Sequence, residues 1–457
     1  MSTARSKNTP FWLLLIGIIL ILMSNSLLTE GMFLDGVSYA SISRNMAEGT
    51  GTFWNPHYTQ TLYPEFRQHP PLALGLEALF FKALGDHLYV EKLYSVLTFL
   101  LSGLLLALIW KRTTNKLRYA WLPILFWVTI PMVTWSATNN ILENTMTVFV
   151  LLSVWFMLLC YQKDNKLWLF LSGIALFAAF LSKGFTGLFP LVFPIIYCVF
   201  DDHRRWTQGV IDTLILVATM AVLAGMMFWI FPSSFHYLKD YLNIQVIDNG
   251  LHEVTVNTRF FIVLSLLLQL IAPLVIFAFI LIMSKLFNKS KRKLFVFSLE
   301  KKWFYIFLLI GLSGVLPIMI SVKQRDFYML AALPFFSLAL GHLALLMMDD
   351  LTQRINPLLQ KWMTIGASCV LLAGLTLNPY HIGKYGRDEA FLKEMKLVLE
   401  EIPENETVAI SPDDYSQWTW HAYFMRYGKV SLDDQQPHPY HFSYHPQQWT
   451  TKPIPHK

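Results

Sequence analysis

Asp35 is the first residue whose type and position suggest chemistry. It follows an apolar segment and opens residues 35–48, where apolar and aromatic side chains recur at helical spacing. A carboxylate at a helix start either caps the helix or acts as a general base that takes a proton from a hydroxyl or amine. Arg44 follows about two and a half turns later, near the same side of the helix. It either serves the same cavity or lies along the membrane interface.

Arg67 and His69 form a second cluster, immediately before Pro70 and Pro71. Proline suits the first turn of a helix, so we expect a helix from these prolines to about residue 84. A helix N-terminus attracts anions, and neighbouring cationic side chains strengthen the attraction. This cluster is therefore either a phosphate site or an ordinary solvated loop.

Further ionisable residues lie at the ends of later apolar segments, where charge is costly and often functional. Glu143 would act in the chemistry, orient a sugar or cap its own helix. Lys183 lies beside two glycines that leave room for a close ligand, or else it extends to the membrane interface. Two carboxylates among several cations suit an anionic lipid headgroup and an acid–base reaction. The predicted set comprises Asp35 and Glu143 as catalytic residues; Arg44, Arg67, His69, Lys183, Lys323 and Arg325 as phosphate-binding residues; and Tyr39, His57, Arg259 and Tyr328 as other members of the cavity.

The elements that must position these residues are membrane spans. The chain has 457 residues, of which 54% are hydrophobic and only 14% charged, whereas soluble proteins carry about 25% charged residues. Apolar runs long enough to cross a bilayer recur up to residue 378. We therefore predict an all-α polytopic membrane protein with about eleven spans, at residues 11–28, 89–110, 119–135, 142–161, 167–183, 186–200, 209–231, 260–284, 303–320, 326–347 and 362–378.

Basic residues concentrate in alternate loops, which predicts a cytoplasmic N-terminus. Residues 29–88 and the C-terminus then lie on the extracytoplasmic side, as does the predicted site. The two helices expected in this first outer loop are amphipathic, which is typical of helices in the membrane interface. The net charge of +6 thus reflects topology, and we predict no nucleic-acid partner.

The chain divides into a membrane domain, residues 1–378, and a small extracytoplasmic α/β appendage, residues 379–457. The appendage is polar, with a helix expected around 388–401 and a strand at 407–411. The three cysteines lie in predicted spans and are interpreted as small buried apolar residues. No nucleotide-binding loop, nucleophile elbow or zinc-protease motif is present. No cofactor is predicted; a divalent metal stays open but has no motif, because His438, His441 and His445 are only weakly suggestive.

Three segments together resemble a known family. The first is FLDGVSYASISRNMAEGTGTFWNPHY followed by FRQHPPLALGLEALFFKALGD, the second GIALFAAFLSKGFTGLFPL and the third SVKQRDFYMLAALPFFSLALG. In this order they are similar to the ArnT-like and protein-O-mannosyltransferase-like glycosyltransferases, which have the GT-C fold. The resemblance covers residues 1 to about 350.

The resemblance implies that a sugar moves from a polyprenyl-phosphate donor to a lipid, glycan or protein acceptor, with inversion, at the outer face of a cell membrane, here a bacterial inner membrane. It implies Asp35 as general base, Arg44 as a supporting residue and Lys183 near the donor phosphate. Glu143 takes the place of an acidic residue in the second outer loop, and Lys323 that of a lysine before a tyrosine–proline segment.

The chain departs from the family pattern at two places. Gly36 replaces the second acid of an aspartate–glutamate pair, and Gln68-His69 replaces glutamate–lysine before the prolines. The second change leaves the phosphate contact there to an imidazole or to Arg67.

Two other classes of function stay open at this level. One is a lipid-linked-sugar transporter or flippase, which would place polar groups near the membrane midplane. The other is a non-catalytic subunit of cell-envelope polysaccharide assembly, which would keep the cations but tolerate the loss of Asp35. The predicted spans carry almost no charge at mid-membrane, and the ionisable residues gather on one face, which favours one-sided chemistry.

Overall fold

The computed structural model describes residues 7–248, 254–287, 298–445 and 448–453. Apolar segments of 17 to 25 residues dominate these ranges and form helices, because a helix satisfies every internal backbone polar group within the segment. The α-helices are Thr9–Leu27 (α1), Leu34–Glu48 (α2), Leu72–Leu84 (α3), Val90–Thr114 (α4), Trp121–Val128 (α5), Pro131–Ala137 (α6), Leu142–Lys163 (α7), Leu167–Lys183 (α8), Phe193–Val199 (α9), Trp206–Ile230 (α10), Ser233–Tyr241 (α11), Phe261–Gln269 (α12), Ile271–Phe287 (α13), Ser298–Val315 (α14), Leu333–Gln353 (α15), Pro357–Tyr380 (α16), Glu389–Leu399 (α17), Pro412–Tyr415 (α18) and Trp418–Gly428 (α19).

Within the described ranges, seven helical segments are long and apolar enough to cross a membrane. Two predicted spans are broken: residues 117–137 bend by 89° before Pro131, and the segment from Phe261 bends by 42° at residue 270. Two further apolar helices, Leu167–Lys183 and Phe185–Val199, are shorter. With the bent and short segments included, the count agrees with the predicted eleven. Proline explains the first bend, because it cannot donate a helical hydrogen bond.

The loops that connect the helices lie at two opposite ends of the bundle, as the predicted alternation requires. At one end, Lys116 bonds Asp349 at 2.8 Å and Lys302 bonds Asp201 at 2.9 Å. Lys7 donates to the carbonyl oxygen of residue 353 at 3.2 Å. The basic loops thus meet the N-terminal segment, and residues 28–89 lie at the opposite end, which we call the loop face. Among the cysteines, Cys160 and Cys198 are buried as expected, whereas Cys369 is exposed on α16, so the expectation of burial is wrong for that residue.

The first outer loop contains the two predicted helices. Helix α2 ends at Gly49, whose φ of +90° is readily adopted only by glycine. A short antiparallel hairpin follows, formed by Gly51–Thr52 (β1) and Asn55–Pro56 (β2). Helix α3 begins directly after Pro71. Most of α2 is buried, so it is an internal element of the loop and not an exposed interfacial helix.

The C-terminal appendage packs on this loop and does not stand apart. Its strands are Thr407–Ala409 (β3), Ser431–Asp433 (β4), Tyr440–His445 (β5) and Gln448–Pro453 (β6). They form one sheet in the order β4-β3-β5-β6, parallel except for the antiparallel β5–β6 pair. Its apolar core, built around Leu392, Trp420 and Phe424, includes Met32 and Val37 from the first outer loop. The appendage therefore shares a core with the start of the first outer loop and with helix α2.

Candidate active site

Lys183 is the centre of a buried polar cluster at the loop face. Its side chain is 7% exposed, and its Nζ lies 3.2 Å from Oε1 of Glu143, whose side chain is 1% exposed. The same ammonium lies 3.5 Å from the Tyr39 hydroxyl and 3.4 Å from His69 Nε2. Four residues that are distant in the sequence, on α2, α7, α8 and the loop before α3, thus converge on one cation. We call them the Lys183 cluster.

His69 serves this cluster as a neutral imidazole. Burial lowers its pKa well below the ordinary value, and the nearby cations Lys183 and Lys323 lower it further. Neutral His69 accepts from the Lys183 ammonium through Nε2, which leaves Nδ1 protonated. The cluster therefore has one buried cation, Lys183. Its partner Glu143 has a second oxygen, Oε2, with no hydrogen-bond partner among the described residues.

Asp35 lies in the first turn of α2, within electrostatic range of this cluster. Burial raises the pKa of its carboxyl above the ordinary value, while Lys183, Arg325 and Lys323 act in the opposite direction. Asp35 makes no side-chain capping bond at the start of α2. The carboxylate is thus partly desolvated, surrounded by cations and not used as a cap, which suits a group that takes up a proton.

Gly36 explains one departure from the family pattern. A Cβ atom at this position would lie 2.0 Å from the backbone oxygen of Asn139. The turn at Asn139 and Asn140 holds α2 at this distance, because Phe33 N donates to Asn139 Oδ1 at 2.7 Å and Asn140 Nδ2 donates to the Gly36 oxygen at 3.2 Å. A second acid after Asp35 cannot fit against this turn.

We expect Gly36→Ala to lower both stability and activity. The added methyl group must push α2 away from the Asn139 turn, which displaces Asp35 next to it. Gly366→Ala is the matched control, since a Cβ on that helical glycine meets nothing within 4 Å. Thermal unfolding of the purified variants measures the effect. Equal stability of the two variants would contradict the close approach.

Helix α11 packs beside the cluster. The Tyr237 hydroxyl of α11 donates to the His69 carbonyl oxygen at 2.6 Å. A Cβ on Gly184 would lie 1.9 Å from the Tyr241 hydroxyl, so the space beside this glycine is filled by Tyr241. The prediction that the glycine leaves room for a ligand is therefore wrong at that position. Gly187 likewise packs against Ala179, where a Cβ would meet backbone and side-chain atoms at 3.1 Å.

Arg67 forms ion pairs with two acidic side chains of the protein. It pairs with Asp240 of α11, and its second guanidinium nitrogen lies 2.5 Å from Glu65. Both carboxylates belong to the protein itself, so Arg67 links the first outer loop to helix α11. His57 also belongs to the loop scaffold, because its Nδ1 lies 2.8 Å from the Pro64 carbonyl oxygen.

The turn before α15 brings the remaining predicted cations to the loop face. Lys323 and Arg325 both act on the pKa of Asp35, and Tyr328 acts on that of Tyr39. Arg325 is exposed. Arg259 donates to the Ile320 carbonyl oxygen at 3.2 Å, so it fixes the start of this turn and has no contact with the Lys183 cluster among the described contacts.

Arg44 lies elsewhere. It is 1% exposed, and its Nη1 donates to the Arg426 carbonyl oxygen at 3.1 Å and lies 3.7 Å from Asp86. Burial lowers the pKa of Arg44 to about 10, and the neighbouring Arg426 contributes. These contacts join α2 to the appendage. We therefore do not include Arg44 in the proposed phosphate site.

Sequence reasoning missed two residues of the site. Arg387, in the segment before α17, acts electrostatically on Asp35. Glu77 of α3 accepts from Ser43 and Asn140, each at 2.7 Å, and so ties α2, α3 and the Asn139–Asn140 turn together. Burial raises the pKa of Glu77 to about 8. Arg387 gave no local signal, because its proximity to Asp35 results only from the packing of the appendage.

No group of three or more metal-ligating side chains is found among the described residues. The Lys183 cluster contains two side chains of metal-binding type, Glu143 and His69, and both face the Lys183 ammonium.

Comparisons with known proteins agree with this architecture. The sequence model of the family described as dolichyl-phosphate-mannose-protein mannosyltransferase matches residues 68–229, about a third of the chain. The crystal structure of ArnT from Cupriavidus metallidurans bound to undecaprenyl phosphate matches with a TM-score of 0.62 at 14% identity, over 94% of this chain and 92% of that one. The apo crystal structure of the same protein matches with a TM-score of 0.63 at 14% identity, again over 94% and 92%.

A search of curated protein sequences finds no match to the chain. The structural similarity nevertheless confirms the predicted all-α GT-C fold, with a small C-terminal appendage. The family match runs from just before α3 almost to the end of α10 and, together with the ArnT structures, confirms the resemblance to the ArnT-like and mannosyltransferase-like enzymes.

Proposed function

We propose that this membrane glycosyltransferase of the GT-C fold moves a sugar from a polyprenyl-phosphate donor to an acceptor hydroxyl or amine at the extracytoplasmic face. The observation that carries the proposal is a partly buried carboxylate, Asp35, within electrostatic range of a buried ammonium, Lys183, which lies 3.5 Å from the hydroxyl of Tyr39 one helical turn after Asp35. These are the two groups that a displacement at a sugar phosphate needs. The ArnT structure that the chain resembles is described as bound to undecaprenyl phosphate, which supports this class of donor.

Lys183 binds the donor phosphate in this mechanism. A buried cation stabilises the negative charge that grows on the leaving phosphate more strongly than a solvated one, because water does not screen it. Glu143 holds the ammonium in place at 3.2 Å, and its free Oε2 is available to accept from a sugar hydroxyl. Phe185, two residues after Lys183, is 51% exposed on the apolar surface, where a prenyl chain can enter from the bilayer.

Asp35 acts as the general base. The acceptor oxygen or nitrogen attacks the anomeric carbon, its proton moves to Asp35, and the bond from the anomeric carbon to the phosphate oxygen breaks. Polyprenyl phosphate leaves as an anion bound to Lys183, so no general acid is required. Attack opposite to the leaving phosphate inverts the configuration. Arg325 and Lys323 complete the positive field around the reacting groups.

The same geometry predicts the pH dependence of transfer. A general base must be deprotonated, so activity falls as the pH drops through the pKa of Asp35, and burial raises that pKa above the usual carboxyl range. Since Arg325 acts to lower this pKa, Arg325→Gln is expected to shift the acid limb of the kcat/KM profile to higher pH. Arg118→Gln, at the opposite end of the bundle, is the control. An unchanged or downward-shifted limb in Arg325→Gln would contradict the role of Asp35.

A labelled-donor assay tests the proposed function. Purified protein is incubated with a panel of undecaprenyl-phosphate-linked radioactive sugars and a membrane extract, and the labelled product is identified as a lipid, glycan or protein. We expect label to move from the prenyl phosphate to an acceptor. Translocation of intact donor across a vesicle membrane without transfer would instead support a flippase. The absence of both transfer and translocation would support a non-catalytic subunit.

A further inference from the structure

A series of aromatic rings connects the Lys183 cluster to the C-terminal appendage. Successive ring centroids lie 5.8, 6.2, 6.3 and 6.2 Å apart along the series Tyr39, His69, Phe66, Tyr63 and Trp418. The series returns to α2 through Tyr58, which stacks on Trp418 at 5.8 Å and whose hydroxyl lies 3.0 Å from Ser38 Oγ. Ser38 is one helical turn after Asp35. The rings therefore connect the helix of the candidate base, α2, to the appendage.

Core packing accounts for only part of this series. Phe66 and Tyr58 are 2% and 0% exposed and stabilise the first outer loop as ordinary buried aromatic residues. Tyr63 is different, because 36% of it is exposed. Its φ of +52° is unfavourable for a bulky side chain, and such strain is often retained at binding sites.

Trp418 shares this property with Tyr63. It is only partly buried, and its indole N–H has no hydrogen-bond acceptor among the described residues. Indole N–H groups usually find an acceptor when they are buried. Tyr63 and Trp418, which we call the aromatic pair, thus combine a partly exposed phenol ring with a partly buried indole whose N–H is shielded from solvent and has no acceptor among the described residues.

The aromatic pair is held rigidly although its members are far apart in the sequence. Gln60 N donates to Ser431 Oγ at 3.0 Å, and Thr61 Oγ1 donates to the Leu432 carbonyl oxygen at 2.5 Å. These bonds join the loop of Tyr63 to strand β4 of the appendage. A preorganised surface of this kind binds a ligand without the cost of ordering side chains.

We infer that the aromatic pair is an acceptor subsite for a saccharide, so that the acceptor is a glycan or the sugar part of a glycolipid. This inference rests on the proposed function. A pyranose ring presents flat C–H faces that pack on aromatic rings, and the partly exposed ring of Tyr63 offers such a face. The rings continue through Phe66 and His69 to Tyr39, one helical turn after Asp35, so the proposal requires a sugar bound on the pair to extend toward Asp35.

Alanine variants of the pair test the inference on the full-length purified protein. Tyr63→Ala and Trp418→Ala are expected to raise the KM for a saccharide acceptor at least tenfold and to leave the KM for the undecaprenyl-phosphate-linked donor unchanged. Tyr63→Phe is expected to restore acceptor binding. Tyr380→Ala is the matched control, because Tyr380 is 67% exposed at the end of α16 and lies outside the pair.

A glycan array probed with the same proteins provides a readout that does not need the reaction. We expect the wild type to bind neutral oligosaccharides and both alanine variants to lose at least tenfold in signal. Absence of glycan binding, or transfer to a serine- and threonine-containing peptide with a wild-type KM in Tyr63→Ala, would overturn the inference and leave the proposed function intact. Glycan binding that depends on the pair, without transfer from any donor, would support the subsite and refute the proposed function.

Discussion

Replacing Asp35 with asparagine is expected to reduce sugar transfer by about 10²- to 10⁴-fold, the contribution of a positioned general base. The carboxamide has nearly the same shape but cannot take up the acceptor proton. Donor binding is expected to remain close to normal, because Lys183 and Glu143 are unchanged. The variant should also fold, since the Asp35 side chain makes no capping bond on α2.

Rates and donor affinities of the purified variant are measured side by side with those of Asp413→Asn. Asp413 is an exposed aspartate in the first turn of α18, so its substitution is expected to change neither quantity. Full activity in Asp35→Asn would eliminate this residue as the base. A loss of donor binding equal to the loss of rate would show that Asp35 acts in binding and not in proton transfer.

Replacing Arg426 with methionine is expected to destabilise the protein by about 3–5 kcal/mol, as found when one partner of a buried ion pair is removed. The Arg426 side chain is 2% exposed and donates to both oxygens of Glu91, at 3.1 and 3.0 Å, and to Asp86 at 2.7 Å. Its loss leaves a buried carboxylate at Glu91 without this partner. Because Arg44 of α2 also bonds the Arg426 backbone, the appendage and α2 should loosen together.

Thermal unfolding in detergent and the fraction of monodisperse protein measure this effect. Lys393→Met is the control, because that lysine forms an exposed pair with Glu389 within α17, and exposed pairs contribute little. The double variant Arg426→Met with Glu91→Gln should recover part of the stability, since it removes the unpaired charge. A single variant as stable as Lys393→Met would contradict a shared structure of appendage and loop.

The sequence predicts the local elements of the first outer loop well, because their signals are local. Residues 35–48 were expected to be helical and form Leu34–Glu48, and the helix expected from Pro70-Pro71 is observed as Leu72–Leu84. The residues Asp35, Glu143 and Lys183 stand out for a related reason, since an ionisable group at the end of an apolar span is unusual on its own. The prediction that these three residues lie at the same end of the bundle follows from counting the membrane spans between them.

Contacts between segments that are far apart in the sequence could not be predicted from such local signals. Helical periodicity places Arg44 near the side of Asp35, but it does not show that α19, almost 400 residues later, covers that position. The same holds for Arg387 and Trp418, which reach the loop only because the appendage shares its core. Gly184 shows the same limit, because a glycine in the sequence suggests open space beside the backbone but does not reveal that the distant residue Tyr241 fills that space.

The arrangement of Asp35 and Lys183 around a donor is the central claim, and a structure of the Asp35→Asn protein with a bound undecaprenyl-phosphate-linked sugar tests it most directly. We predict the donor phosphate within hydrogen-bond distance of Lys183 Nζ, about 3 Å, and the residue 35 side chain on the opposite side of the anomeric carbon, facing Tyr63 and Trp418. A phosphate bound away from Lys183, or residue 35 on the same side of the anomeric carbon as the phosphate, would contradict the account.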